Sequence, residues 1–135
     1  MDARELTRLA TEAYALFDDG DVAGVDRLYA PELVDHNPVP GAATPVEGMR
    51  TLIGWIRDGV TGAHHEIVYQ GVIGADTVVT QWRMTGRHTG PFLGVEATGR
   101  ELAFAGTDIV RIDAGRIVEL RHVEDLFGAY AQMTG

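Results

Sequence analysis

Cysteine is absent from this 135-residue chain, which excludes disulfides, thiolate nucleophiles and cysteine-based zinc sites. Basic residues are scarce: 11 against 20 acids, for a net charge of −9. Proteins that track a phosphate backbone need the opposite balance, so no nucleic-acid partner is expected. No apolar run reaches membrane-spanning length, and the first residues carry no charged-then-apolar export signal. The expectation is therefore a cytoplasmic protein that does not enter the membrane. Repeats, low-complexity tracts and linkers are lacking too, so residues 1–135 are read as a single domain with room for a cavity.

What is present divides into helices first and strands afterwards. DARELTRLATEAYALFDDGD carries Leu6, Leu9, Ala10, Ala13, Leu16 and Phe17 at helical spacing, with Asp2 and Glu5 as a capping box and Gly20 at the exit. A short second helix is predicted over Val22, Val25, Leu28 and Tyr29, stopped by Pro31. A third opens at Thr44 and Pro45, with Glu47 three residues after the cap, and buries Met49, Leu52, Ile53 and Ile56. Beyond Gly62 the chain is rich in β-branched and aromatic residues bounded by glycine turns, and a last short helix covers LFGAYAQM. This order predicts an α+β domain in which a strongly curved antiparallel sheet wraps the N-terminal helices into a cone.

The segment GTDIVRIDAGRIVELRHVED places two ionisable residues on a face that should be buried. Read as a hairpin with a three-residue loop at Asp113-Ala114-Gly115, it puts Phe104, Val110 and Ile112 beside Val118 and Leu120. Asp108 interrupts the first strand of this face and His122 the second. An odd loop makes the two neighbours, directly opposite or one pair diagonal, and the direct register also sets Arg111 against Glu119. A buried carboxylate beside an imidazole shifts both pKa values and suits general acid–base work. The same pair could equally tie two strands together and do no chemistry.

Other residues offer weaker signals. In Asp35-His36-Asn37-Pro38, turn capping explains Asp35 and Asn37, whereas His36 is a candidate for the pocket mouth. Adjacent His64 and His65 point to opposite faces of a strand, so they cannot chelate one ion and are read as strand-entry residues. Trp82 and Trp55 fit either a core or the wall of a cavity for flat aromatic ligands. The loop GPFLGVEATGR lacks the lysine and the context of a phosphate cradle. It is read as a rim over the cone, with Phe92 and Leu93 facing a ligand or a partner chain. No residue set suggests a resident metal or organic cofactor.

DHNP, GWIRDGV, GRHTGPFLGVEATGR and RIDAGRIVELRHVED together resemble the SnoaL-like polyketide cyclases of the NTF2-like (ketosteroid isomerase-like) superfamily, nearly end to end. The resemblance implies the cone fold, a homodimer, and cofactor-free aldol ring closure on an aromatic, anthracycline-type polyketide. It also implies a substrate-binding asparagine, matched by Asn37. The family's acid–base aspartate on the last strand corresponds to His122 here, and its histidine on the preceding strand to Asp108. The pair is thus present but exchanged, and the expectation is His122 as base with Asp108 orienting it. Two other readings stand beside this one: a cofactor-independent hydroxylase of the same class of molecule, and a non-catalytic small-molecule-binding module. For a dimer, Ile109, Ile117 and Val123 would supply an apolar stripe on the outer sheet face.

Overall fold

A computed structural model describes residues 1–135 and shows a curved, unclosed sheet of five strands packed against helices. Helix α1 (Ala3–Asp19) has the predicted capping box: Asp2 accepts from the Glu5 N–H while Glu5 accepts from the Asp2 N–H, and Gly20 closes it at φ 65°. The short second helix is smaller than expected. A 3₁₀ turn at Val22–Gly24 leads into one turn of α2 (Val25–Leu28), and Tyr29 already belongs to β1 (Tyr29–Asp35). Pro31 is tolerated inside β1 because that strand is a sheet edge, where a missing N–H removes no ladder bond. Helix α3 (Pro45–Gly59) starts at the Thr44 cap and runs directly into β2 (Val60–Ile73).

The remaining elements are β3 (Thr77–His88), β4 (Glu101–Asp113), β5 (Arg116–Glu124) and α4 (Leu126–Thr134). The strand order is β1-β5-β4-β3-β2. Strands β2 to β5 form the expected antiparallel meander. The early strand β1 joins the far edge parallel to β5, so the sheet is mixed rather than wholly antiparallel. No helix is long and apolar enough to cross a membrane.

The β4–β5 hairpin has the expected pairing for a different reason. Its loop is two residues, Ala114 and Gly115, both at positive φ (49° and 79°), a conformation that suits glycine and strains alanine. Asp113 pairs with Arg116 and Ile112 with Ile117, but Arg111 pairs with Glu119, so a bulge inserts one extra residue in β5. The bulge restores the parity that a three-residue loop would have given, and Asp108 stands directly opposite His122. It also turns Ile117 into the core, fully buried, which removes the centre of the expected outer stripe. Val123 remains 71% exposed and Ile109 is half-buried.

Two apolar clusters fill the cone. One joins Leu6, Leu9 and Leu16 of α1 and Met49 and Ile53 of α3 to Val110, Ile112 and Leu120 of the sheet. The other surrounds Trp82 with Met84, Phe92, Leu102 and Phe104. Gly106 and Asp108 occupy the inner face of β4 between Phe104 and Val110, at the seam of the two. The connection from β3 to β4 folds onto the end of α3: the Thr89 and Gly90 N–H groups both donate to the Gly59 carbonyl, at 3.0 and 3.1 Å.

Gly106 pairs with Trp82, and a methyl group there would run into the indole, lying 2.7 Å from Cε2. Gly106→Ala should therefore destabilise the protein by about 1–3 kcal/mol, as overpacking does, and shift the Trp82 emission. Denaturant unfolding followed by tryptophan fluorescence checks this; an unchanged midpoint and spectrum would show that the indole has room to move.

Candidate active site

The inner faces of α1, α3 and all five strands meet around a cavity of about 50 Å³ lined by Tyr14, Tyr29, His65, Trp82, Asp108, His122 and Glu124, with apolar residues between them. A second chamber of about 80 Å³ shares the His65 and Trp82 rings and continues along Trp55, Phe92, Leu93 and Phe104. Strand parity selects the ionisable residues of this interior. Leu120, His122 and Glu124 project inward from β5 in alternation, and Asp108 projects from the facing strand.

Asp108 is held by two donors on one oxygen. The Tyr14 hydroxyl donates to Oδ2 at 2.6 Å and the Trp82 indole Nε1–H at 3.0 Å. Oδ1 has no protein partner and opens on the cavity, since no enclosed side-chain polar atom lacks a hydrogen bond. Burial and, less strongly, the charge of Glu124 push the Asp108 carboxyl up to about 6, against the lowering effect of Tyr14, His122 and Trp82. Burial and the same carboxylate raise Tyr14 well above the usual phenol range, so it remains a donor. Tyr29 is raised likewise, by burial and by the charges of Asp108 and Asp35.

His122 does not make the expected hydrogen bond to Asp108. Its Nδ1 meets Glu124 at 2.5 Å and its Nε2 meets Asp35 at 3.1 Å. Burial alone would lower its pKa, but these two carboxylates override that and hold it up to about 10. The ring is therefore an imidazolium at neutral pH, with both nitrogens occupied. Asp35 reaches it from β1, with its side chain only 1% exposed, while also capping the turn through the Asn37 N–H at 2.8 Å.

Two other expected ligand-binding residues are turned to different work. The Asn37 side-chain oxygen accepts from the His122 backbone N–H at 2.9 Å, so it fixes the strand rather than lining the cavity. His36 faces away: its Nε2 lies 2.7 Å from Glu119, on the opposite side of β5 from His122. There hydrogen bonds from His36 and Arg111 hold Glu119 down at about 2. Trp82 is inside, and Phe92 and Trp55 line the second chamber, Trp55 at its exposed rim.

Sequence reasoning missed Tyr14, Asp35, Glu124 and His65. Glu124 was available from alternation, two residues past His122, and Tyr14 lies on the same face as Ala10 and Ala13 of α1. Asp35 depends on the parallel β1–β5 pairing, which no local pattern announces. His65, which its sequence position marks only as a strand-entry residue, has its ring buried against Trp82 and lines both chambers.

Asp108, His122 and Glu124 bring ligand atoms within 4.8 Å of one another, the spacing of a possible cation site. A metal would have to displace the proton that His122 shares with its two carboxylates, so the donor set fits a bound proton better than a divalent ion.

Residues 7–133 match the family model described as SnoaL-like polyketide cyclase. Two curated relatives are aklanonic acid methyl ester cyclases. DnrD from Streptomyces peucetius is 29% identical, over 96% of this chain and 88% of its own length. DauD from Streptomyces sp. strain C5 is 28% identical, over 96% and 80%. Among solved structures, TsrD from Streptomyces laurentii superposes with a TM-score of 0.86 at 27% identity, covering 98% of this chain and 97% of that one.

The two raised pKa values fix a dependence of stability on pH. The folded protein binds a proton at Asp108 more tightly than an unfolded carboxyl does, so that stability is present below about 3.8 and lost as pH rises through about 6. His122 contributes stability that is complete below about 6.5 and lost as pH rises through about 10. Asp108→Asn should therefore flatten the first window and His122→Gln the second, each relative to the parent. Chemical denaturation at a series of pH values reads both. If the His122→Gln difference stayed constant from pH 6 to 10, the imidazolium assignment would fail.

Proposed function

Because the chain belongs to the SnoaL-like polyketide cyclase family, we propose that it closes a ring on an aromatic, anthracycline-type polyketide ester by intramolecular aldol addition. One observation carries this reading: a half-buried carboxylate with a pKa of about 6 and one free oxygen stands in an apolar cavity beside an imidazolium that stays charged at neutral pH. The sequence narrows the route further. All 11 basic residues are arginines, so no lysine can form an imine with a ketone. An aldol here must pass through an enol or enolate made by a base.

Asp108 fits the base, and the roles expected of the pair are exchanged. His122 has no lone pair to offer while Asp35 and Glu124 hold both its nitrogens. Asp108 Oδ1 takes the proton from the carbon α to a carbonyl, and the enolate carbon attacks the second carbonyl of the same molecule. The alkoxide that forms then takes the proton back from Asp108, so nothing is added or lost. The positive charge of His122, opposite Asp108 across the strands, offsets the negative charge that migrates from carboxylate to enolate to alkoxide. Tyr29, kept protonated, lines the same cavity and can donate to a developing oxyanion.

The cavity also sets a requirement. Chambers of about 50 and 80 Å³ are small beside the ~300–1,000 Å³ of ordinary ligand sites. A multi-ring ester fits only if the two join and the rim at Trp55, Phe92 and Leu93 gives way.

Incubation with a panel of anthraquinone-type esters, analysed by mass, tests the reaction. Aldol closure leaves the mass unchanged; a gain of one oxygen would mean hydroxylation, and binding without conversion would mean a non-catalytic module. With a turned-over ester, Asp108→Asn should lose roughly 10²–10⁴-fold in rate, the usual worth of a general base. Activity should rise through about pH 6 as Asp108 loses its proton and fall through about pH 10 as His122 does. Full activity in Asp108→Asn would exclude this mechanism.

A further inference from the structure

A second acid–base unit faces the same cavity. His65 projects inward from β2 and is clamped by Asp18 at the end of α1. The Asp18 carboxylate accepts from the His65 backbone N–H at 3.0 and 3.1 Å and meets the ring Nδ1 at 2.6 Å. These contacts fix both the ring orientation and the tautomer, because a carboxylate acceptor keeps the proton on Nδ1. The other nitrogen, Nε2, has no protein partner and is not enclosed, so its lone pair opens on the chambers that the ring lines.

The surroundings keep this imidazole neutral and in place. Burial lowers its pKa, partly opposed by Asp18, with His64 adding to the lowering. Rings enclose it on three sides: Tyr14 at 5.5 Å, Phe17 at 5.7 Å and, edge-on, Trp82 at 4.8 Å between centroids. Glu124 of β5 lines both chambers with it, and Asp108 and His122 line the inner one. Trp82 therefore packs edge-to-face with His65 and donates its Nε1–H to Asp108. A flat molecule lying against the indole meets a free imidazole lone pair near one part of it and a free carboxylate oxygen near another.

We propose that His65, oriented by Asp18, is a further catalytic and binding residue of this cavity, and that it receives a phenolic or enolic hydroxyl of a planar aromatic ligand. A neutral nitrogen with only a lone pair to offer selects a donor, and a hydroxyl on an aromatic ring is the donor that apolar, aromatic walls admit. The hydroxyl donates to Nε2; on transfer its O–H bond breaks, an Nε2–H bond forms, and the ligand oxygen keeps the electron pair as phenolate. The resulting imidazolium lies between the Asp18 carboxylate and the phenolate, and the same nitrogen returns the proton at the end. The inference rests on the preceding reading only for the aromatic character of the ligand; it does not require that the aldol step take place.

Two probes separate the two ideas: 2-hydroxyanthraquinone, and its methyl ether, which has no proton to donate. In ¹⁵N NMR of the unmodified protein, His65 should show the neutral Nδ1–H tautomer, and 2-hydroxyanthraquinone should move the Nε2 signal toward its protonated position. The methyl ether should bind without that change. His65→Phe, which keeps a ring but removes the acceptor, should weaken the hydroxylated probe roughly five- to tenfold, the worth of one hydrogen bond, and leave the ether unaffected. Asp18→Asn should lose the tautomer preference while the fold persists. An Nε2–H tautomer, or an Nε2 signal indifferent to the hydroxylated probe, overturns the role of His65 whether or not His65→Phe folds. Equal binding of both probes by the parent protein overturns it too, while leaving the aldol reading intact. Binding of neither probe removes the aromatic ligand and with it both readings.

Discussion

The bulge in β5 is the constraint on which the interior depends. One extra residue between the Ile112–Ile117 and Arg111–Glu119 pairs decides which side chains of the last strand face inward. Without it, His122 and Glu124 would project to solvent and the outer residues of β5 would enter the cone, because a one-residue slip exchanges the two faces of a strand. With it, His122 lies opposite Asp108, and Ile117 closes the apolar core beneath them. The same insertion therefore serves packing and chemistry together, which is the usual place of a bulge beside a functional site.

The interior that results carries unbalanced charge. Asp35, Asp108 and Glu124 surround one imidazolium, and desolvating such ions costs several kcal/mol each unless partners are provided. The partners are divided unevenly. His122 and the turn at Asn37 take care of Asp35, and Glu124 shares the imidazolium. Asp108 is left with neutral donors, Tyr14 and Trp82, both on one oxygen. Burial and the charge of Glu124 raise its proton affinity more than those donors lower it, and the molecule concentrates its electrostatic strain on a single atom exposed to the cavity. Such a concentration is what a site for moving protons at neutral pH requires.

Local patterns made much of this legible. Capping at Asp2 and Thr44, the alternation of β4 and β5 and the proximity of Asp108 to His122 all follow from residue spacing and agree with the structure. The partners of those two residues were another matter. Alternation says that a side chain points inward; it does not say what comes to meet it from elsewhere in the chain. Asp35 arrives by a parallel pairing between the first strand and the last, and Tyr14 and Asp18 arrive from a helix packed across the sheet. The division of roles proposed for Asp108 and His122 depends on those long-range partners, so it is not available from the hairpin alone. His65 shows the same limit, since a histidine next to a histidine carries no sign that a carboxylate 47 residues earlier will orient it.

The connection between β3 and β4 is fastened at its ends and turns back at Leu93 and Gly94. Thr89 and Gly90 donate to the Gly59 carbonyl, and a side chain on Gly90 would collide with the Asp58 carbonyl. On the returning limb His88 Nδ1 lies 2.9 Å from the Thr98 hydroxyl, and the Gly99 N–H donates to the His88 carbonyl at 2.8 Å. Between these anchors Phe92 and Val95 bond each other across the turn at Leu93 and Gly94, and His88 Nε2 lies 3.2 Å from the Val95 carbonyl. The side chain at residue 93 can thus change in size without moving the strands that carry Trp82 and Asp108, whereas Gly94, at φ 77°, is strained by any side chain. The breadth of ligands admitted and the acid–base chemistry proposed for them are, in this fold, separately adjustable.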